Sequence, residues 1–234
     1  MPKFTKEDCL ADLRRRILAT ELAPGVDLDE ASLTAQYGMS RTPMREVLQR
    51  LAGDGYIALK ANRGGKVASM DIATMRVFFQ TAPMVYANIA RLAAENRDAE
   101  QLDGLKSAQI DFARATKASD ANAAALANHR FHAAIGEMAR NAYLVAALSR
   151  LLIDHTRLSQ TFYRPASPAE SVLIVKAVEQ HDGMISAIEA QDTGLAIDLT
   201  LAHWDLSRDR MERFVRPDPL PVDVISFKDK AHAV

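Results

Sequence analysis

The chain lacks the features that mark secreted and membrane proteins. It has a single cysteine, Cys9, which excludes an internal disulfide framework and fits a reducing compartment. No apolar run approaches the roughly 20 residues that a membrane-spanning helix needs. The first residues, MPKFTKEDC, contain no apolar segment of the kind found in secretion signals. The sequence therefore predicts a cytoplasmic protein without a membrane partner.

Motifs of several enzyme classes are absent as well. The chain has no glycine-rich phosphate loop, no CxxC pair and no GxSxG elbow. Kinase, redox and hydrolase functions therefore have no support from motifs. With 234 residues, 48% of them hydrophobic and 25% charged, the chain is long enough and apolar enough for two compact domains.

The hydrophobic pattern changes character near residues 69–71. Before that point it predicts three short helices, over 10–22, 29–37 and from 40 to 53 or 55, and then a β-hairpin over 56–70 with Gly64-Gly65 at its tip. After it, helical spacing predicts six helices, near 71–95, 98–117, 121–140, 142–163, 168–190 and 192–214. We therefore predict a mainly α protein with a small N-terminal domain over 1–70, an all-α antiparallel bundle over 71–215 and an irregular tail over 216–234.

Positive charge is concentrated in the N-terminal part, although the whole chain has a net charge of −1. The segment 41–66 contains two acidic residues and six basic ones: Arg41, Arg45, Arg50, Lys60, Arg63 and Lys66. A patch of this kind suits phosphate groups. A solvated basic face without a ligand is the alternative on charge alone.

The third predicted helix separates an apolar from a polar face. At about 100° per residue, one side carries Met44, Val47, Leu48 and Leu51, and another carries Arg41, Thr42, Arg45 and Gln49. Ser40 is the expected N-cap. A helix that is anchored by one face and presents arginines from its first turn suits the major groove of DNA. An amphipathic surface helix with solvated arginines is the alternative.

The surrounding residues resemble a known family. The turn Pro24-Gly25, the pair Leu28/Leu33, the motif SRTPxRExL at 40–48, and Gly55, Gly64 and Val67 together resemble the winged helix-turn-helix of the GntR family of bacterial regulators. The resemblance implies that Arg41, Thr42 and Arg45 contact the operator, with Gln49 on the same face. It implies further that the wing residues Arg63 and Gly64 approach the minor groove or the backbone. Ala31 stands where some relatives have a basic DNA contact.

Three histidines lie on apolar stripes of separate predicted helices: His132, His181 and His203. A buried imidazole needs a polar partner, and one shared cation or anionic ligand would satisfy all three. A metal-free ligand pocket and plain core packing are the alternatives. His129 and His155 are close in sequence, but no pattern places them with the three.

The C-terminal part resembles the FCD domain of the FadR branch of the same family, through Asn128-x3-His132, His181 and His203. In many members an aspartate and three histidines hold a divalent metal, and Asn128 stands where the aspartate is usual. The resemblance thus implies a site for Zn²⁺, Ni²⁺ or a similar ion, weakened by the neutral amide. The Arg and Glu that relatives use for small organic acids are missing. The effector is therefore either not a simple carboxylate or is held elsewhere, by Arg157 or Arg130.

Together these features predict a ligand-responsive DNA-binding regulator, in the first instance a repressor, and not an enzyme. A homodimer would place its recognition helices in successive major grooves of a palindromic operator, and a small-molecule effector in the bundle would shift them through the junction at 70–75. Two alternatives remain. One is a helical-bundle metalloenzyme with a three-histidine site, although no carboxylate or nucleophile accompanies the histidines. The other is a DNA-binding protein without an effector.

Overall fold

A computed structural model describes residues 4–60 and 64–213 of the chain. Its N-terminal part contains α1 (Lys6–Leu18), β1 (Asp27–Asp29), α2 (Glu30–Tyr37), α3 (Arg41–Gly53), β2 (Ile57–Lys60) and β3 (Gly64–Val67). Arg63 of the predicted wing and the predicted tail over 216–234 lie outside the described residues. The three predicted helices are present, and the mainly α fold is confirmed.

The first helix begins four residues earlier than the apolar spacing indicated. Thr5 accepts a hydrogen bond from the amide of Asp8 while Asp8 bonds back to the Thr5 amide, which is a capping box. The helix ends at Leu18, so the predicted range 10–22 was wrong at both ends. Its core residues Leu13 and Ile17 keep the expected helical spacing.

The wing is a three-stranded antiparallel sheet in the order β1-β3-β2, one strand more than the predicted hairpin. Gly64 pairs with both Asp29 and Lys60, so it belongs to β3 and the prediction that it forms the tip was wrong. Its φ of +99° and a built Cβ only 2.0 Å from the Leu28 carbonyl oxygen show why no side chain fits there. Strand β1 was not predicted because its three residues are too few to show the alternation that marks a strand.

The C-terminal part consists, over the described residues, of α4 (Ile72–Asn96), α5 (Ala99–Lys117), α6 (Ala121–Met138), α7 (Ala142–Phe162), α8 (Pro168–Glu189) and α9 (Thr193–Arg213). These bounds agree with the predicted ones to within two residues. Side chains of the preceding residues cap most of the helices, namely Asp71, Asp98, Asp120, Asn141 and Ser167. Helix α4 packs on α9, which closes the bundle.

Helix α7 joins the two parts. Its Ile153 is buried in the N-terminal core, among residues such as Leu13 and Leu51. Gln160 donates a hydrogen bond to the Leu18 carbonyl at the end of α1. None of the helices in the described ranges combines the length and apolar composition that a membrane crossing requires.

Candidate functional sites

Helix α3 presents the predicted recognition residues to solvent. Met44, Val47, Leu48 and Leu51 are buried, as the spacing predicted, and fix the helix against the N-terminal core. Arg41, Thr42, Arg45 and Gln49 are all exposed. The Ser40 side chain makes no capping hydrogen bond to the amides at the start of this helix. The first turn therefore offers cationic side chains and the positive end of a helix dipole together.

Arg45 is braced from the neighbouring helix. Its Nε lies 2.9 Å and 3.1 Å from the two carboxylate oxygens of Glu30, the first residue of α2. The Arg45 side chain is still 57% exposed, whereas that of Glu30 is 12% exposed. The carboxylate thus holds the guanidinium in place by one edge and leaves its other nitrogens available. Ala31, beside it, is exposed and adds no charge.

The three predicted histidines come together inside the bundle, one each from α6, α8 and α9. His132, His181 and His203 can each direct one ring nitrogen so that the three atoms lie within 4.8 Å of one another. All three residues are at most 6% exposed. The three imidazoles, each of which the helical spacing placed on an apolar stripe, therefore meet at one point.

Two of these rings direct their Nε2 atoms at each other, 3.3 Å apart. Behind them, His181 Nδ1 lies 2.9 Å from Gln109 Oε1, and His203 Nδ1 lies 3.2 Å from Gln180 Oε1. An amide oxygen only accepts hydrogen bonds, so with these contacts each Nδ1 carries the hydrogen and each Nε2 carries a lone pair. Two lone pairs at this separation repel, and a cation in contact with both would relieve the repulsion.

Two further buried atoms at the site have no partner. His132 Nε2 and Asn128 Oδ1, one helical turn apart on α6, make no hydrogen bond although both are excluded from solvent. Leaving such atoms unpaired is costly unless a ligand satisfies them. An imidazole nitrogen and an amide oxygen are both acceptable ligands for a borderline divalent ion. The donor set present at this place therefore fits a metal of that class.

Burial also holds the imidazoles in the neutral form that metals bind. Desolvation, reinforced by the neighbouring imidazoles, keeps the pKa of His132 and His181 well below the usual value of 6.5. Desolvation alone lowers the pKa of His203 to about 4. All three rings are therefore uncharged at neutral pH and need no deprotonation before binding a cation.

The sequence analysis missed several residues around the cluster. The His155 ring centre lies 5.5 Å from that of His132, and the Tyr86 hydroxyl lies 2.6 Å from His155 Nδ1. Trp204 packs against both Tyr86 and His155. A signal was available for Gln109, because it interrupts the apolar stripe of α5 with a polar side chain.

Arg157 and Arg130, the two arginines considered as effector ligands, make contacts with other parts of the protein. Arg157 is 2% exposed, pairs with Asp154 and donates from Nη1 to the Ala68 carbonyl at 2.7 Å, so it ties α7 to the segment before α4. Arg130 lies on the surface, 3.8 Å from Asp111. His129 Nδ1 contacts the Thr156 hydroxyl at 2.8 Å and lines a cleft of about 490 Å³ between the two parts of the molecule.

Known families match both parts of the chain. Residues 5–67 match "Bacterial regulatory proteins, gntR family", and residues 84–206 match "FCD domain". A regulator of Streptomyces ambofaciens, "Uncharacterized HTH-type transcriptional regulator in unstable DNA locus", is 41% identical over 71 residues, 30% of this chain and 30% of its own length. The "Probable D-xylose utilization operon transcriptional repressor" of Paenarthrobacter nicotinovorans is 27% identical over 174 residues, 74% of this chain and 73% of that one.

A solved structure supports the same fold. The chain of E. coli McbR/YncC superimposes with a TM-score of 0.75 at 20% identity, covering 89% of this chain and 97% of that one. The family matches, unlike this distant likeness, extend to function, since the relatives are transcriptional regulators. The metalloenzyme alternative finds no support among them. The chain therefore belongs to the GntR family of bacterial regulatory proteins, carries an FCD domain, and is a DNA-binding transcriptional regulator.

Proposed function

We propose that the protein is a repressor whose α3 reads an operator in the major groove through Arg41, Thr42, Arg45 and Gln49. The observation that carries this proposal is the exposure of all four polar side chains on a helix whose opposite face is fully buried. Arginine at the leading turn can pair with guanine or with phosphate, and the Glu30 brace preorients Arg45 for the first of these. Arg63 and Gly64 stay predictions, because Arg63 lies outside the described residues and Gly64 is buried in β3.

Substitution of two arginines on the same helix tests the DNA-reading surface. Arg45→Ala should weaken operator binding by about 1–3 kcal/mol and relax the base preference at one position. Arg50→Ala is the matched control, since the Arg50 side chain is 68% exposed, against 57% for Arg45, but lies near the other end of α3. Fluorescence anisotropy with operator and scrambled DNA measures both. Equal losses for the two variants would contradict the proposed orientation of the helix.

We further propose that the bundle binds a Zn²⁺- or Ni²⁺-type ion through His132, His181 and His203, with the Asn128 amide oxygen as a fourth candidate. The unpartnered His132 Nε2 and Asn128 Oδ1 and the facing Nε2 atoms support this. If the three histidines alone hold the ion, its fourth coordination position is open to a small effector. Because the three histidines come from α6, α8 and α9, binding would tie three helices of the bundle to one point.

Metal content and affinity test the second proposal. Purified protein should hold about one equivalent of Zn²⁺ or Ni²⁺ per chain, and His181→Ala should weaken binding by more than the roughly 100-fold typical of an outer-shell change. His129→Ala is the matched control, because that histidine faces the cleft between the two parts. A chain that binds neither ion under calorimetry would refute the metal site while leaving the DNA-binding proposal intact.

The third part of the proposal concerns the homodimer and its control by an effector. We propose that two copies bind a palindromic operator and that effector binding in the bundle shifts α7, which packs on both parts through Ile153 and Gln160. We propose repression because the Paenarthrobacter relative is named a transcriptional repressor. Light scattering with footprinting tests the dimer: a monomer on DNA, or protection without two-fold symmetry, would exclude it.

A further inference from the structure

Two glutamine side chains lie directly behind the histidine cluster, and they differ in how firmly they are held. Gln109 of α5 is 5% exposed and accepts from His181 through Oε1. Gln180 of α8 is half-buried and faces His203 through its own Oε1. Each amide therefore controls one of the two rings whose Nε2 atoms face each other.

The Gln109 amide has one possible orientation. Its Nε2 donates to the Val178 carbonyl at 3.0 Å and to Asp182 Oδ1 at 2.9 Å. If the amide were reversed, its oxygen would face these two acceptors and its hydrogens would face His181 Nδ1. Because the reversed form exchanges two good hydrogen bonds for two repulsions, His181 is fixed with its hydrogen on Nδ1 and its lone pair on Nε2.

The Gln180 amide has no comparable constraint. Within the described part of the chain, its side chain makes one hydrogen bond, the contact with His203 at 3.2 Å. Turned over, the amide would donate to His203 Nδ1, and the ring hydrogen would lie on His203 Nε2. That hydrogen would then bond to the lone pair of His181 Nε2, 3.3 Å away. The reversed amide thus satisfies the facing nitrogens of His181 and His203 without a cation, whereas His132 Nε2 still has no partner.

We propose that Gln109 and Gln180 are positioning residues of the metal site, one a fixed acceptor and the other a reversible one. In the metal-free protein Gln180 donates, and His203 closes a hydrogen bond onto His181. With a metal bound, Gln180 accepts and both Nε2 lone pairs are free for the ion. The His203 ring carries one hydrogen on nitrogen in both arrangements. When the metal binds, this hydrogen moves from Nε2 to Nδ1 by exchange with water. This inference rests on the proposed metal site.

Nitrogen-15 NMR of the histidine rings tests the assignment in the unsubstituted full-length chain. Metal-free protein should show His181 with hydrogen on Nδ1 and His203 with hydrogen on Nε2. Addition of Zn²⁺ should move the His203 hydrogen to Nδ1 and leave His181 unchanged. A metal-free His181 with hydrogen on Nε2, or a His203 tautomer that is the same with and without Zn²⁺, would overturn the inference.

Zinc affinity of substituted chains gives a second test. Gln109→Leu should raise the Kd for Zn²⁺ by about 10- to 100-fold, as loss of an outer-shell partner does. Gln180→Glu, which only accepts, should lower the Kd by about tenfold, and its metal-free form should already show His203 with hydrogen on Nδ1. Gln101→Leu, on the same helix as Gln109 but without a histidine contact, should stay within about twofold. Equal changes for Gln101→Leu and Gln109→Leu would overturn the positioning role.

The two proposals fail in different ways. If the chain binds no Zn²⁺, the proposed metal site fails, yet the metal-free His181 tautomer still reports whether Gln109 fixes that ring. If Zn²⁺ binds with normal stoichiometry but neither glutamine substitution alters its affinity or the tautomers, the metal site stands and the inference about the glutamines falls.

Discussion

Arginine serves opposite purposes in the two halves of the molecule. Arg45 on α3 is 57% exposed and is braced at one edge by Glu30, so its remaining donors face solvent. The Arg157 side chain on α7 is fully buried, and it joins Asp154 to the Ala68 carbonyl. The same contrast separates the exposed polar face of α3, which we propose contacts DNA, from the buried histidine cluster. Polar groups thus serve recognition where water reaches them and determine stability where it does not.

The largest expected effect is a difference in the free energy of unfolding between the Arg157→Met and Arg45→Met variants. Arg157→Met leaves the Asp154 carboxylate buried without its partner, which should lower the free energy of unfolding by about 3–5 kcal/mol. Arg45→Met breaks an exposed pair and should change it by less than about 1 kcal/mol, while operator affinity falls. Urea denaturation with operator titration measures both. Similar losses of stability for the two variants would contradict the claim that Arg157, unlike Arg45, stabilises the fold.

A pH dependence should follow from the buried histidines. The pKa of His203 is about 4 in the folded protein against 6.5 ordinarily, so the unfolded chain binds the proton first. Stability of the metal-free protein is therefore complete above pH 6.5 and falls as the pH drops toward 4, by about 3 kcal/mol for His203 alone. Denaturation midpoints measured between pH 7.5 and 4.5, with a chelator present, give the dependence of stability on pH.

His203→Gln is the control for that slope, because it removes the titrating ring but leaves the exposed carboxylates unchanged. Its stability should depend less steeply on pH over the same interval than that of the natural chain. Parallel curves for the two proteins would show that the acid sensitivity does not arise from His203.

The wing contains a buried position, Gly64, in the N-terminal part of the molecule. Gly64→Ala places a Cβ 2.0 Å from the Leu28 carbonyl oxygen at a φ of +99°, so it should lower stability by about 1–3 kcal/mol. Gly53→Ala, at the end of α3, meets nothing within 4 Å and should be neutral or slightly stabilising. Thermal melting compares them, and a Gly64→Ala chain as stable as the Gly53→Ala chain would mean that the sheet can relax.

The smallest effect is expected from Glu30→Gln. Stability should change by less than about 1 kcal/mol, because the pair with Arg45 is exposed on one side. Loss of the carboxylate should strengthen binding to any DNA by a few-fold while operator discrimination declines, since Arg45 loses its brace. Titrations of operator and scrambled DNA at two salt concentrations separate these effects. Unchanged discrimination would show that Glu30 does not orient Arg45.

Local patterns allowed much of this protein to be predicted. The helices of the bundle and the two faces of α3 followed from helical spacing, since burial of one face repeats every three to four residues. The early start of α1 was missed because a capping box at Thr5 outweighed the apolar pattern. The strand β1 was missed because three residues are too few to show alternation.

By itself the sequence determined the order of most elements and, through spacing within single helices, the exposed polar face of α3 and the inward positions of His132, His181 and His203. Only the tertiary structure decided which side chains meet across helices: the Arg45–Glu30 brace, the facing His181 and His203 nitrogens, and the glutamines behind them. Such contacts depend on how separate helices rotate and cross as they pack, and no periodicity along a single helix records that.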